Sequence, residues 1–367
     1  MEDGVEVVIN HLEPYKVEGE PNKLTLEEEY IIDFESEDLA EVGMTDIMGF
    51  DIDSDGNIYF WSVESPRDFI FKFDANGKFV SSIGRSGQGP GELVAIFQVR
   101  INERDEILVS DGVRKKIIIL DASGNLIKEM PIAPNHRITT LLEIGKILAM
   151  KAIFKPEEGF TELPIVICNS ELEDIAFLHK GERIPNWARA KRINGLKTTA
   201  NYFPWSISKS HIYIGNPDNV YEIFVYDFDG RLERKIRKKY NPVAVPEDIK
   251  ERVLKIFESP HLKLMKIKKK VFFPDYMPPF QYFFTDDEGR LFVMTYEKGE
   301  GPKEFIYDIF NPDGVFIGRT SLDNSGNEIT AVWGGPFEVK KKNKRLYCMR
   351  MKDSGYNELV VYRMKWE

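Results

Sequence analysis

Along residues 50–84, short apolar runs alternate with polar turns. Phe50-Asp51-Ile52-Asp53 is the first run, Ile58-Tyr59-Phe60-Trp61 the second, Phe69 to Asp74 the third and Phe79 to Gly84 the fourth. Ser54-Asp55-Gly56-Asn57 and Ala75-Asn76-Gly77-Lys78 separate them in pairs. Short runs of β-branched and aromatic residues, broken by Gly, Asn and Asp, predict one four-stranded antiparallel meander. A glycine-rich connector, 84–93, leads into the next unit.

The third run measures a repeat. Its apolar stretch ending in Asp or Asn returns at Ile117 to Asp121, Ile165 to Asn169, Ile223 to Asp227 and Tyr307 to Asn311, and without a following turn at Leu359 to Arg363. A second strand precedes each. The spacing suits the blades of a propeller. The last unit has three strands and no fourth, while the strand pattern at 24–34 has no partner beside it. The expected fold is all-β: a six-bladed β-propeller of four-stranded antiparallel blades, closed by the N-terminal strand, which removes an open sheet edge. Residues 24–367 form that single domain, with a helical insertion at 240–279 between blades four and five. Residues 1–23 contain Pro14 and Pro21, show no period, and read as a poorly ordered lead-in.

Three motifs carry a family resemblance: Asp53-x-Asp55-Gly56-Asn57-Ile58-Tyr59, Phe73-Asp74-x-x-Gly77-Lys78, and Gly84-Arg85-x-Gly87-Gln88-Gly89-Pro90-Gly91-Glu92. With them the chain resembles the bacterial NHL-type six-bladed β-propellers, over roughly residues 24–367. The resemblance implies the fold and, because many such proteins are exported, an extracytoplasmic location with a leader absent from this chain. The alternative is cytoplasmic. Fold does not imply function, since propellers host unrelated activities.

Charge changes the picture in one respect. The net charge is −10, and residues 1–55 hold many acids against Lys16 and Lys23 alone. Basic clusters come later, at 231–239, 266–270 and 340–345. They read as a solvated surface or as a steering field for a partner. Cys168 and Cys348 lie far apart and read as buried free thiols.

Candidate chemistry is sparse. Asp51-x-Asp53-x-Asp55-Gly56 opens like a calcium loop, but its twelfth position is Ser62, so the bidentate carboxylate is missing. The glycine-rich connector runs strand to strand and lacks the Gly-Lys-Ser/Thr of a phosphate loop. The histidines have no ligand spacing. The expectation is no metal and no cofactor. First strands are expected to bring Phe50, Gln98, Thr140, Trp205, Gln281 and Trp333 near the channel, which disfavours a lactonase-like calcium site there.

Links between blades, and loops between second and third strands, share one face, and almost all irregular chain is heaped on it. Binding concentrates on such loops. The expected site is Arg67, Arg85, Gln88, Arg114, Trp187, Arg189, Trp205 and Trp333, taking a protein, peptide or carbohydrate on a monomer. The reading is a non-enzymatic binding propeller. The alternatives are a propeller hydrolase or lactonase-like enzyme with a channel site, and RNA binding through the basic 180–270 region, which the acidic net charge opposes.

Overall fold

The computed structural model describes residues 1–367 except 22, 45–46, 63–67, 133–135, 144, 156–159, 186–195, 198–203, 209, 217–219, 257, 259–270, 302–303 and 324–338. The chain is an all-β, six-bladed propeller of four-stranded antiparallel blades. Blade one is Ile47–Ile52, Ile58–Ser62, Asp68–Phe73 and Phe79–Arg85. Blade two is Ile96–Ile101, Ile107–Asp111, Lys116–Leu120 and Leu126–Pro131. Blade three is His136–Glu143, Lys146–Lys151, Phe160–Cys168 and Asp174–Pro185, with the short strand Ile153–Lys155 beside Phe160–Cys168. Blade four is Trp205–Ile207, Ile212–Gly215, Glu222–Tyr226 and Leu232–Lys238. Blade five is Tyr282–Thr285, Leu291–Lys298, Glu304–Phe310 and Phe316–Asp323. Blade six is Val339–Lys342, Arg345–Met351 and Asn357–Trp366, with a fourth strand from the other end of the chain.

That fourth strand is β2 (Leu24–Asp33), antiparallel to Asn357–Trp366, with Leu24 opposite Trp366 and Asp33 opposite Glu358. Before it lies β1 (Glu6–Asn10), parallel to Leu232–Lys238 on the outer edge of blade four. Residues 1–23, expected as a lead-in without period, thus contain a strand. A strand on an outer edge, with one side to solvent, needs no apolar alternation, so the pattern could not reveal it. A helix, Glu247–Ile256, lies in the chain between blades four and five and opens with Glu247 and Asp248, which favour a helix start.

The same turn recurs at the strand ends. An Asp or Asn accepts the backbone N–H groups two and four residues on: Asp74 from Asn76 and Lys78, Asp121 from Ser123 and Asn125, Asp227 from Asp229 and Arg231, and Asn311 from Asp313 and Val315. The side chain thus satisfies amides that the turn withdraws from the ladder. Asp53, in the calcium-like motif, does the same for Asp55 and Asn57, and its other oxygen accepts Asn57 Nδ2 and the Tyr59 hydroxyl.

The core is a ring of clusters between neighbouring blades. Ile32 and Phe34, from and just after β2, pack with Phe50, Phe60, Phe71 and Phe73 of blade one and Tyr347, Leu359 and Val361 of blade six. Equivalent clusters join blades one and two, two and three, three and four, four and five, and five and six. Cys168 and Cys348 are buried free thiols in two of these seams, and burial pushes the Cys168 thiol up to about 11.

At the rim of several seams, a turn glycine between third and fourth strands meets the outer strand of the preceding blade. A Cβ on Gly124 would sit 2.6 Å from Ile83 Cγ2 and one on Gly314 2.7 Å from Ile236 Cγ1, and one on Gly230 would collide with Ala176 Cβ. Gly77 stands in the same relation to β2, where a Cβ would lie 2.7 Å from the Tyr30 ring. In blade three Leu172 takes the position at φ 64° and packs on the seam between blades two and three.

This geometry separates two costs. Gly124→Ala and Gly355→Ala meet similar backbone strain, at φ +88° for both, but only Gly124 has a neighbour within 4 Å. Gly355→Ala is expected to cost about 1 kcal/mol from φ alone. Gly124→Ala should cost a further ~1–3 kcal/mol from overpacking against Ile83. Urea midpoints of the two variants measure the difference, and equal midpoints would remove the seam contact from the account.

Candidate functional site: the polar mouth of the channel

First-strand ends from blades one, two, four, five and six converge on a cavity of about 660 Å³. It opens where first strands turn into second strands, the face opposite the links between blades. Its walls carry many charged side chains. Asp51 comes from blade one, Glu103 from blade two, Asp286 and Asp287 from blade five, and Lys340, Lys341 and Lys342 from blade six.

The lysines alternate in direction because successive residues of a strand point to opposite sides. Lys340 reaches blade one, with Nζ 2.8 Å from Asp51 Oδ1 and 5.6 Å from the centre of the Phe50 ring. Lys341 reaches blade five, 3.0 Å from Asp287 Oδ2 and 2.8 Å from Glu288 Oε2, and its side chain is 1% exposed. Asn343 adds a tie in each direction, donating its backbone N–H to Asp287 at 2.8 Å and its side-chain amide to the Ser54 carbonyl at 3.0 Å. Blade six is thereby bonded to both neighbours at the mouth.

The carboxyls differ in state. Burial alone would push Asp51 up, but Lys340, Arg100 and the Ile101 N–H, which donates to Oδ2 at 2.9 Å, hold it below the usual range. Asp286 is the opposite case. Burial raises it to about 6, against the pull of Lys341 and Arg290. Its Oδ1 accepts the Glu288 and Arg290 amides in the recurring turn, and its Oδ2 lies 3.3 Å from Arg290 Nη1. Glu103 and Lys342 also line the mouth, and neither has an ion pair among the described residues.

In blade one the structure corrects the expected channel lining by one residue. Phe50 is fully buried in the seam with blade six, and its neighbour Asp51 faces the mouth. A one-residue slip exchanges the two faces of a strand. Gln281 is also buried, donating to the Thr295 carbonyl at 2.6 Å. The carboxylates that the sequence reading missed therefore do reach the channel. The signal for them was the run Lys340-Lys341-Lys342 in a first strand, which needs acidic partners wherever it is covered.

Of the expected site residues, Arg67, Trp187, Arg189 and Trp333 lie outside the described residues. Arg85, Gln88 and Arg114 are brought together at the connector between blades one and two. Arg85 and Gln88 are exposed there. Arg114 donates to the carbonyls of Gln88 at 2.8 Å, Gly89 at 3.3 Å and Glu92 at 2.6 Å, so its guanidinium holds the connector in shape. The glycines close around Glu92, whose Oε2 accepts the Gly89 N–H at 2.7 Å, so the chain's own carboxylate takes this amide. Trp205 is half-buried and packs on the cluster between blades three and four. Among the described residues, no group of three or more His, Cys, Asp and Glu is placed to hold a metal ion, and no helix is long and apolar enough to cross a membrane.

A family model described as a six-bladed β-propeller matches residues 52–140, from the end of the first strand of blade one into the first strand of blade three. No curated protein matches the sequence. Among solved structures, a DUF4221 family member from Bacteroides vulgatus superimposes with TM-score 0.55 at 14% identity, covering 95% of this chain and 100% of that one. A Bacteroides fragilis protein inferred to be exported gives TM-score 0.53 at 12% identity over 98% of this chain and 99% of that one. At these identities the likeness establishes the fold, and the chain is a six-bladed β-propeller.

Proposed function

We propose that this chain is a monomeric, non-enzymatic binding propeller of the NHL type. In this reading residues 24–367 form one domain, β2 is the clasp that closes the ring, and the segment 240–279 is a helical insertion. The protein works outside the cytoplasm, a location for which the Bacteroides fragilis fold relative inferred to be exported is the support. A protein, peptide or carbohydrate ligand meets the insertion-rich face, where Arg85 and Gln88 stand exposed on a connector that Arg114 braces.

The observation that carries binding rather than turnover is the state of the mouth. Asp51 and Asp287 are each held by a lysine, so these walls are fixed, polar and charge-balanced. Carboxylates paired in this way are not free for acid–base work, which leaves the ligand to the insertion-rich face. The test is ligand-observed NMR with a panel of sugars, amino acids and short peptides, each hit then being tried on Lys342→Glu and Arg85→Glu. Loss of a hit with Arg85→Glu supports the insertion-rich face. Loss with Lys342→Glu moves the site to the mouth. A hit that survives both, or one consumed during the measurement, overturns the reading.

One observation favours a second reading, a hydrolase with its site in the channel: a buried carboxyl raised to about 6 in a cleft is a candidate general acid or base. Asp286→Asn keeps the oxygen that accepts the turn amides and removes the titration. The stability Asp286 contributes in its protonated form is complete below the ordinary Asp range and is lost as pH rises through about 6. Relative to the parent, Asp286→Asn should therefore gain about 1–3 kcal/mol between pH 4 and pH 8. Denaturant titrations at the two pH values measure this, and a gain absent at pH 8 would show that Asp286 is not held protonated by burial.

The clasp has its own test. Deleting residues 1–34 removes Tyr30, Ile32 and Phe34 from the seam between blades six and one, and β1 from blade four. The loss is expected to be on the order of 5 kcal/mol or more, by the usual cost of emptying buried aromatic and aliphatic sites. Thermal melting of the truncated chain measures it, and an unchanged midpoint would remove β2 from its role.

A further inference from the structure

The outer edge of blade four is basic and already holds an acidic strand. Among the described residues, blade four alone has a strand added outside its own fourth strand, and the addition is parallel, with Glu6 opposite Arg234 and Asn10 opposite Lys238. Ahead of β1 a tight turn through Asp3 and Gly4, both at positive φ, folds Glu2 back beside Val5. The Glu2 carboxylate then accepts Arg237 Nη1 at 2.5 Å, Arg237 Nη2 at 2.7 Å and Lys235 Nζ at 3.2 Å. Glu6 accepts Arg234 Nε at 2.7 Å. The far end is a polar plug. Asn10, fully buried, donates to the carbonyls of Arg237 and Gly314 and accepts the Phe316 N–H at 2.8 Å.

Apolar burial contributes little to this contact. Ile9 is 64% exposed, and none of Val5, Val7 or Val8 is fully buried. The strand is held by its backbone ladder, by carboxylates on a row of arginine and lysine, and by one asparagine. Those are the contacts of strand addition to a sheet edge, where main-chain bonds give affinity and side chains give selectivity. Lacking a covered apolar face, such a strand exchanges more readily than one that completes a core.

We infer that the outer edge of blade four is a docking site for an acidic extended segment of a partner protein, bound parallel to Leu232–Lys238, and that residues 2–10 of this chain occupy it in cis. The partner segment carries carboxylates that reach Arg234 and Arg237 and a side-chain amide at its far end. This surface is separate from both the channel mouth and the insertion-rich face. The tethered arm competes at a high effective concentration, so the site opens to a partner when the arm is released.

The experiment uses the full chain. A variant with Glu2→Lys, Glu6→Lys and Asn10→Ala should release the arm, and fluorescence anisotropy then follows a labelled peptide copying residues 1–12. The variant is expected to bind the peptide at least about tenfold more tightly than the parent, whose site is filled. Lysine at both glutamate positions of the peptide should abolish binding. Affinity should fall as salt rises, and also as pH drops below the ordinary glutamate range toward about 2, where the bound Glu2 carboxylate takes up its proton. Equal binding to parent and variant, or no binding to a variant with the parent's circular dichroism, overturns the proposal. Concentration-dependent dimers of the parent that the variant does not form assign the edge to the arm of a second copy and also overturn it. If the variant does not fold, hydrogen exchange decides on the parent: excess peptide must speed exchange at Val7 to Asn10, and unchanged protection sinks the idea.

Discussion

The ring depends on how each blade receives the one before it. A third-to-fourth-strand turn opens with Asp or Asn, whose side chain takes up the loose amides, and closes with a glycine at positive φ. Where the glycine lies against the outer strand of the preceding blade, it leaves room for Ile83, Ala176, Ile236 or Tyr30 to approach closer than any Cβ would permit. The apolar clusters then fill the seam beneath. Twist and spacing of the blades follow from that approach, because interiors are close-packed and a displaced rim cannot be absorbed. Blade three reaches the same end with Leu172 in the left-handed region, trading backbone strain for apolar contact.

The N-terminal segment belongs to this architecture in two places. β2 offers Tyr30 to Gly77, the contact that Ile83 offers to Gly124, so the seam between blades six and one is built like its neighbours although its strands come from opposite ends of the chain. The Tyr30 hydroxyl donates to the Ala75 carbonyl at 3.0 Å. β1 lies on blade four; Asn10 at its end, and Tyr15 between the two strands, bond to Phe316 of blade five. Residues 5–21 and 23–33 thus run along the outside of three consecutive blades.

Electrostatics explains why the charges are so unevenly distributed along the sequence. The early acids meet the late bases. Glu2 and Glu6 hold the 234–237 stretch, Glu29 holds Arg345, Asp33 and Glu35 hold Lys352, and Asp51 holds Lys340. Exposed pairs of this kind contribute little each. Their effect is on register and partner choice, since a strand that arrives from a distant part of the chain is matched by charge as well as by pattern. The arrangement also leaves the mouth of the channel balanced, with buried Lys341 answered by Asp287 and Glu288.

The sequence by itself determined the repeat, the four-stranded unit, the turns and the fold class. Those are properties of period-two alternation and of residues such as Gly77 and Asp74, whose conformational preferences are local. It also marked Asp53 as a turn residue, because the Asp53-x-Asp55-Gly56-Asn57 run is visible without coordinates. Only the tertiary structure decided which face of the first strands meets the channel. Phe50 and Asp51 are adjacent, and a slip of one residue exchanges them without altering the pattern. The structure alone gave Arg114 its work on the Gln88 and Glu92 carbonyls, set Trp205 against the seam, and placed Glu6–Asn10 on blade four. Each of these rests on contacts between residues far apart in sequence, and neither alternation nor composition records which distant edge a polar strand will find.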